Sequence, residues 1–322
     1  MRTKLNTISK LINFANPSIY IPSNALLDAI ALKFTLTVKN SNNAKATPVM
    51  KDVLSAITEI KLTTDATNVH YAVNGLDVAR LNAFDSHSGD GAVLNKVCDE
   101  IAADAEGTIQ FTLFLDQGDI LAAQYDSIEL KVLFKQVAFA TGLTITNAVV
   151  NVTTVEVILT EAELQNMYGK NLEYFAEPKV VAYTKTNAAN SEMRGFADLP
   201  TGTLLKRAML TFSTIPEKFG VIATTPDLQN LMEVDWQTYR DMDAFKHFCN
   251  GNCPTDTVII DYGSQLAANG QGLYAWNFRL GDYQIASKNL EETELRYVSC
   301  ELIPKNQGAF EQLGVLETPY GI

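Results

Sequence analysis

The sequence has 322 residues, of which 47% are hydrophobic and 19% charged, enough apolar material for a sizeable core and too much for wholesale disorder. Thirty-seven acidic against 25 basic side chains leave a formal net charge of −12. That balance excludes a broad nucleic-acid-binding face, because neutralising phosphates needs clustered Lys and Arg. No apolar run of about 18 residues offers a transmembrane helix.

The first residues, MRTKLNTISKLINFANPS, lack the long apolar stretch of a signal peptide. Arg2, Lys4 and Lys10 stand there without an acid, among Leu5, Ile8, Leu11, Ile12 and Phe14 at near-helical spacing. Two readings are open: a basic amphipathic tail touching lipid or nucleic acid, or a short helix packed on its own domain. A first strand follows in LKFTLTV (32–38), and Ser41-Asn42-Asn43 signals a turn.

Residues 63–85, TTDATNVHYAVNGLDVARLNAFD, read as a strand ending in Val73, an N-cap at Asn74, and a helix with Val78, Leu81 and Phe84 facing a core. The following stretch, DSHSGDGAVLNKVCDEIAADAE, predicts a loop and a second helix from Val93 to Ala105. Strands are expected at GTIQFTL (107–113), at Ile128–Val132 and around Val155–Ile158, with a turn at Asp116-Gln117-Gly118. In TEAELQNMYGKNLEYFAEPK (160–179), Thr160 and Glu163 have capping-box spacing, the middle is helical in pattern, and Pro178 marks an exit.

The pattern then repeats. Residues 224–246, TTPDLQNLMEVDWQTYRDMDAFK, align without a gap on 63–85, so that Val73 meets Val234, Asn74 meets Asp235, Asn82 meets Asp243 and Phe84 meets Phe245, 161 positions on, half of 322. Trp236, Tyr239, Met242 and Phe245 form the second helix's expected core stripe. Other segments match in the same order: 32–38 with 206–214, 107–113 with 256–262, 128–132 with 276–280, and 155–158 with 300–303. A turn is expected at Ala268-Asn269-Gly270. Each half thus offers seven or eight short alternating strands and one shared helix. The fold expected is mainly β: two tandem antiparallel sandwiches or barrels of jelly-roll type, each with a short inserted helix. The parts are a tail (1–18), a first roll (19–160), a helical linker (161–178) and a second roll (179–322).

Chemistry is sparse. The three histidines, His70, His87 and His247, stand beside no nucleophile signature, and no GxGxxG, GxxxxGK[ST] or HExxH occurs. His247, Cys249 and Cys253 in HFCNGNCP lack the second ligand pair of a closed zinc site, and a Gly/Asn/Pro turn accounts for them better. A disulfide between Cys249 and Cys253 stays open; with Cys98 and Cys300, four cysteines are too few for a disulfide scaffold. Asp85 and Asp90 suit a solvated loop better than a calcium site, lacking the EF-hand spacing. No catalytic, cofactor-binding or metal set is assigned, and an enzyme is not expected.

The duplication, the shared helix and the missing catalytic set resemble the double jelly-roll major capsid proteins of adenoviruses and of tailless icosahedral phages that enclose a lipid membrane. Members near this size belong to small bacterial viruses, and the resemblance is taken to be nearest to the lipid-containing phage of Flavobacterium. The resemblance covers nearly the whole chain. It implies a structural subunit of a virion, made in the host cytoplasm, with no cofactor and no sequence-specific nucleic-acid binding. It implies pseudo-hexameric homotrimers that tile an icosahedral shell, with neighbouring capsomers, vertex and minor capsid proteins as partners. It also implies an inner-face tail near the membrane, a role that falls here to Arg2, Lys4 and Lys10. The alternative is a tandem β-sandwich carbohydrate-binding protein or adhesin, for which a signal peptide and clustered aromatics would be expected. A bicupin-type enzyme would need more histidines, and a pilus or tube protein a secretion signal.

Overall fold

The computed structural model describes residues 2–22, 25–85, 93–170, 172, 175–200, 203–224, 229–246, 254–261, 276–277 and 282–305. The chain divides into two compact units, 1–163 and 164–322. The division falls inside the helix Glu161–Tyr168 (α3), whose N-terminus closes the expected capping box: the Thr160 amide donates to Glu163 at 2.9 Å and the Glu163 amide to the Thr160 hydroxyl at 3.3 Å.

In the first unit the strands are β1 (Arg2–Thr7), β2 (Ile12–Asn13), β3 (Ser18–Tyr20), β4 (Leu26–Asn40), β5 (Ile57–Thr64), β6 (Asn68–Val73), β7 (Glu106–Leu115), β8 (Ile120–Leu121), β9 (Ile128–Phe134) and β10 (Leu143–Ile158). Helix α1 (Met50–Ser55) precedes β5, and α2 (Gly75–Asp85) follows β6. One sheet runs β1-β10-β4-β7, with β2 beside β10 and β8 beside β4. The other runs β6-β5-β9-β3, and every pairing in both is antiparallel.

The second unit holds β11 (Ala176–Asn187), β12 (Asn190–Asp198), β13 (Leu204–Phe212), β14 (Lys218–Ala223), β15 (Gln229–Asp235), β16 (Thr257–Asp261), β17 (Trp276–Asn277), β18 (Tyr283–Asn289) and β19 (Thr293–Pro304), with helix α4 (Trp236–Lys246) after β15. Its sheets run β11-β19-β13-β16 and β12-β18-β14-β15, again antiparallel. Taken strand by strand, the two orders are identical, and each unit is an eight-stranded jelly roll with a helix between its fifth and sixth principal strands.

Alternation builds the cores. In β4, Ile30, Leu32, Phe34, Leu36 and Val38 are buried on one face while Lys33 is exposed on the other. Phe34 meets Phe134 of β9, from the opposite sheet, at 6.3 Å. In the second unit Leu210 and Phe212 of β13, Val221 of β14, Ile285 of β18 and Tyr297 of β19 close one cluster, on which Trp236 at the start of α4 stands edge-on to Phe212 and Phe219 at 5.5 Å.

Several expectations change here. Arg2–Thr7 is a strand, not a helix: the ladder of β10 satisfies its backbone over all six residues. Between Val93 and Ala105 only a 3-10 turn forms, Val93–Asn95; Cys98 and Ile101 are then buried, with Ile101 bridged to Ala46. The linker helix ends at Tyr168, and Pro178 lies inside β11. The strand equivalent to β9 is β18, not 276–280; Trp276 and Asn277 pair with the start of β13, as β8 does with the start of β4. On α4, Trp236 is buried and Tyr239 half-buried, but Met242 points to solvent. His87, Asp90, His247, Cys249, Cys253 and the turn at 268–270 lie outside the described residues.

Candidate assembly edges

The expected site residues fall in two places. Arg2 and Lys4 lie in β1, and Lys10 sits on an exposed bend between β1 and β2. Lys4 is opposite Glu156 in the ladder, its ammonium 3.7 Å from the carboxylate. Glu156 is buried and also accepts from Asn6 Nδ2 at 3.0 Å and from the Thr154 hydroxyl at 2.8 Å. Burying a carboxylate is costly unless such donors surround it.

The second unit repeats this arrangement. Lys179 of β11 is opposite Glu301 of β19 at 3.4 Å, and Glu301 accepts from Ser299 at 2.6 Å and from Thr203 at 2.8 Å. A β-bulge flanks each glutamate: the ladder skips Asp28 between Leu27 and Ala29 in β4, and Lys206 between Leu205 and Arg207 in β13. The two strands that open and close each roll are thus tied by the same Lys–Glu pair at the same bulge. Sequence comparison had aligned the glutamates; the lysines, in segments of unlike composition, gave no signal.

A second duplicated device guards a sheet edge. Asn82 of α2 donates to the carbonyl of Phe114 and accepts from its amide, both at 2.8 Å. At the aligned position of α4, the buried Asp243 accepts from the amide of Ile259 at 2.8 Å. Each helix therefore satisfies a backbone group on the outermost strand, β7 or β16, which would otherwise be open to pairing. The helix caps are duplicated too: Asn74 and Asp77 bond reciprocally at 2.8 and 3.1 Å, and Asp235 accepts from the Thr238 amide at 2.9 Å.

The remaining polar interior is structural. His70 shares a buried 3.0 Å hydrogen bond with Thr64, and Arg207 pairs with Asp261 across β13 and β16 at 3.3 Å. The carboxyl of Asp28 is held above the usual range, chiefly by burial and then by Asp119 beside it. Burial, with Tyr183 stacked at 4.9 Å, pushes the Tyr297 phenol up, and its hydroxyl donates to the Asp198 carbonyl at 2.8 Å. Cys98 and Cys300 are both buried. Among the described residues no three His, Cys, Asp or Glu side chains gather as metal ligands, and no helix is long and apolar enough to cross a membrane.

Two antiparallel sandwiches with one strand order, one inserted helix and one set of ties define a double jelly roll. That fold is shared with viral major capsid proteins. The chain superposes on the major capsid protein of STIV with a TM-score of 0.79 at 16% identity, covering 98% of this chain and 100% of that one. A chain from the atomic structure of Sulfolobus Turreted Icosahedral Virus gives the same score and identity over 98% and 96%. The major capsid protein of bacteriophage PM2 matches with a TM-score of 0.54 at 12% identity over 95% and 99%. No protein-family profile matches the sequence, and no curated protein matches it. The expected nearness to the Flavobacterium phage gains no support from these matches.

Proposed function

We propose that this chain is the major capsid protein of an icosahedral virus, acting by assembly and not by catalysis. The carrying observation is the duplicated jelly roll, in one strand order, over the whole length shared with the STIV protein. Two like rolls per chain give three copies six similar walls, and closed symmetric assembly is the usual outcome for such a subunit. In this reading the product is a pseudo-hexameric homotrimer that tiles a shell, with residues 19–160 and 179–322 as its paired walls. Neighbouring capsomers, vertex proteins and minor capsid proteins are its partners in the virion, after synthesis in the host cytoplasm.

The shell encloses a lipid membrane in this reading, and the basic residue facing it is Lys10. Arg2 and Lys4 stand two apart on one face of β1, where Lys4 already faces Glu156 at 3.7 Å, so the lipid contact is assigned to Lys10 alone. Electron microscopy of the concentrated protein tests the assembly claim. Hexagonal tiles or closed shells are expected; dispersed single particles at all concentrations would contradict it. Flotation with vesicles of anionic lipid tests the second claim, with Lys10→Glu expected to lower the bound fraction and an unchanged fraction refuting it.

A further inference from the structure

Every open sheet invites pairing along its outermost strands, and this chain treats its outermost strands unequally. The β7 and β16 edges are held by Asn82 and Asp243. The β12 edge is broken by two register shifts against β18. Of the others, β3 is only three residues long, β1 has neither protection, and β15 has a single register shift near its start. β1 pairs with β10 in unbroken register over all six residues, and among the described residues of its unit no strand lies on its other side. β15 pairs with β14, regularly from Met232 to Asp235, and none lies beyond it among the described residues of its unit. In an antiparallel ladder alternate residues turn their amide and carbonyl away from the partner, so both strands present a row of backbone donors and acceptors.

The side chains on these two edges are of opposite charge. β1 carries Arg2 and Lys4 and no acid; β15 carries Glu233 and Asp235 and no base. In each strand the charges stand two apart, so they share one face of the sheet. The backbone groups of Arg2 and Lys4 turn toward β10, as that of Ile8 does, and those of Glu233 and Asp235 turn away from β14, as that of Trp236 turns toward it, so a β1 strand laid parallel to β15 brings two bases opposite two acids. The existing partners leave room for this. Lys4 keeps 53% of its side-chain surface beside Glu156, and Glu233, though bonded to Lys218 at 2.8 Å, keeps 34%. Arg2 is exposed.

We infer that β1 of one copy adds to the β15 edge of a second copy, extending the β12-β18-β14-β15 sheet by one strand and joining subunits within the assembly. The inference rests on the self-assembly proposed above. It uses one edge from each roll, so the contact is heterologous and repeats from copy to copy until a ring closes. The competing role for Arg2 and Lys4 is protective: charges on a strand edge also deter pairing.

The test mixes unlabelled and nitrogen-15-labelled full-length chains, lets them assemble, and applies a zero-length carbodiimide crosslinker. Mass spectrometry is expected to find Lys4 linked to Glu233 or Asp235 in peptides of mixed label. The double variant Arg2→Glu, Lys4→Glu is expected to raise the concentration for half-assembly about tenfold, equivalent to about 1.4 kcal/mol. Adding Glu233→Lys to it is expected to restore most of that loss, which a simple folding defect would not allow. An assembled wild type with no mixed-label link, and with assembly unaffected or strengthened by Arg2→Glu, Lys4→Glu, overturns the strand-addition contact alone. A wild type that stays monomeric overturns the assembly reading on which it rests.

Discussion

The two rolls solve the same mechanical problems with different residues. To hold the outer strand of the first sheet, α2 uses the amide side chain of Asn82, which both donates to and accepts from Phe114 on an exposed stretch of strand. At the aligned position α4 uses the carboxylate of Asp243, which only accepts, and does so in the interior. Similarly, Lys4 and Lys179 both face a buried glutamate, but β1 is a six-residue edge whereas β11 is a twelve-residue strand with buried positions. What has been kept through duplication is the hydrogen-bonding task at a given point of the topology. The second unit performs it deeper in the protein, where an unmet polar group costs more.

That contrast can be broken by making one change in both units. Both tryptophans, Trp236 and Trp276, lie in the second unit, so their fluorescence follows its unfolding in urea while circular dichroism follows both. Glu301→Ala should have the largest effect, about 3 kcal/mol, because it removes a buried acceptor of three side chains and leaves Lys179 unpaired. Glu156→Ala, whose lysine is half in water, should cost only about 1 kcal/mol. Equal losses would show that burial does not set the scale.

Gly220→Ala should follow at about 2–3 kcal/mol, since an added Cβ would stand 1.8 Å from the Met232 carbonyl oxygen of the neighbouring strand. In the first unit's ladder the matching position is Lys61, opposite Ala72 as Gly220 is opposite Glu233, and Lys61→Ala should stay within about 0.5 kcal/mol of wild type. An unchanged urea midpoint for Gly220→Ala would refute the close approach of β14 and β15. Asp243→Ala should cost about 2 kcal/mol by stranding the Ile259 amide, and Asn82→Ala, on the wetter edge, about 1 kcal/mol. Hydrogen exchange at Ile259 and Phe114 reads the two edges directly, and protection surviving in either variant would contradict the proposed hold.

The smallest effect concerns pH. The Asp28 carboxyl, raised by burial and by Asp119, binds a proton in the native state at pH values where the unfolded chain has lost it. Stability therefore falls as pH rises from the ordinary aspartate value of 3.8 through the raised native value, and the penalty is complete above it. Asp28→Asn should raise Tm slightly at pH 7 and leave it nearly unchanged at pH 3. A lower Tm at pH 7 would mean that the carboxylate is favourably held.

Much of this was legible in the sequence where a long period-two pattern or a gapless match existed. The alignment of 63–85 with 224–246 located a strand, a capped helix and the paired positions Asn82 and Asp243, though nothing in it disclosed the edge those residues hold. Short segments misled. RTKLNT has a single apolar residue, Leu5, and so carries neither period; only the register of β10 decides for a strand. The stretch before Ala105 is rich in helix formers, but burial of Cys98 and Ile101 overrides local propensity. The Lys4 and Lys179 equivalence was invisible because it depends on ladder register, which no single strand encodes.

Native mass spectrometry of the purified full-length chain tests the central claim, that this duplicated fold exists to assemble with itself. The expected mass is three times the 35.4 kDa of one chain, persisting on dilution to micromolar concentration. A single species at 35.4 kDa under the same conditions would contradict it.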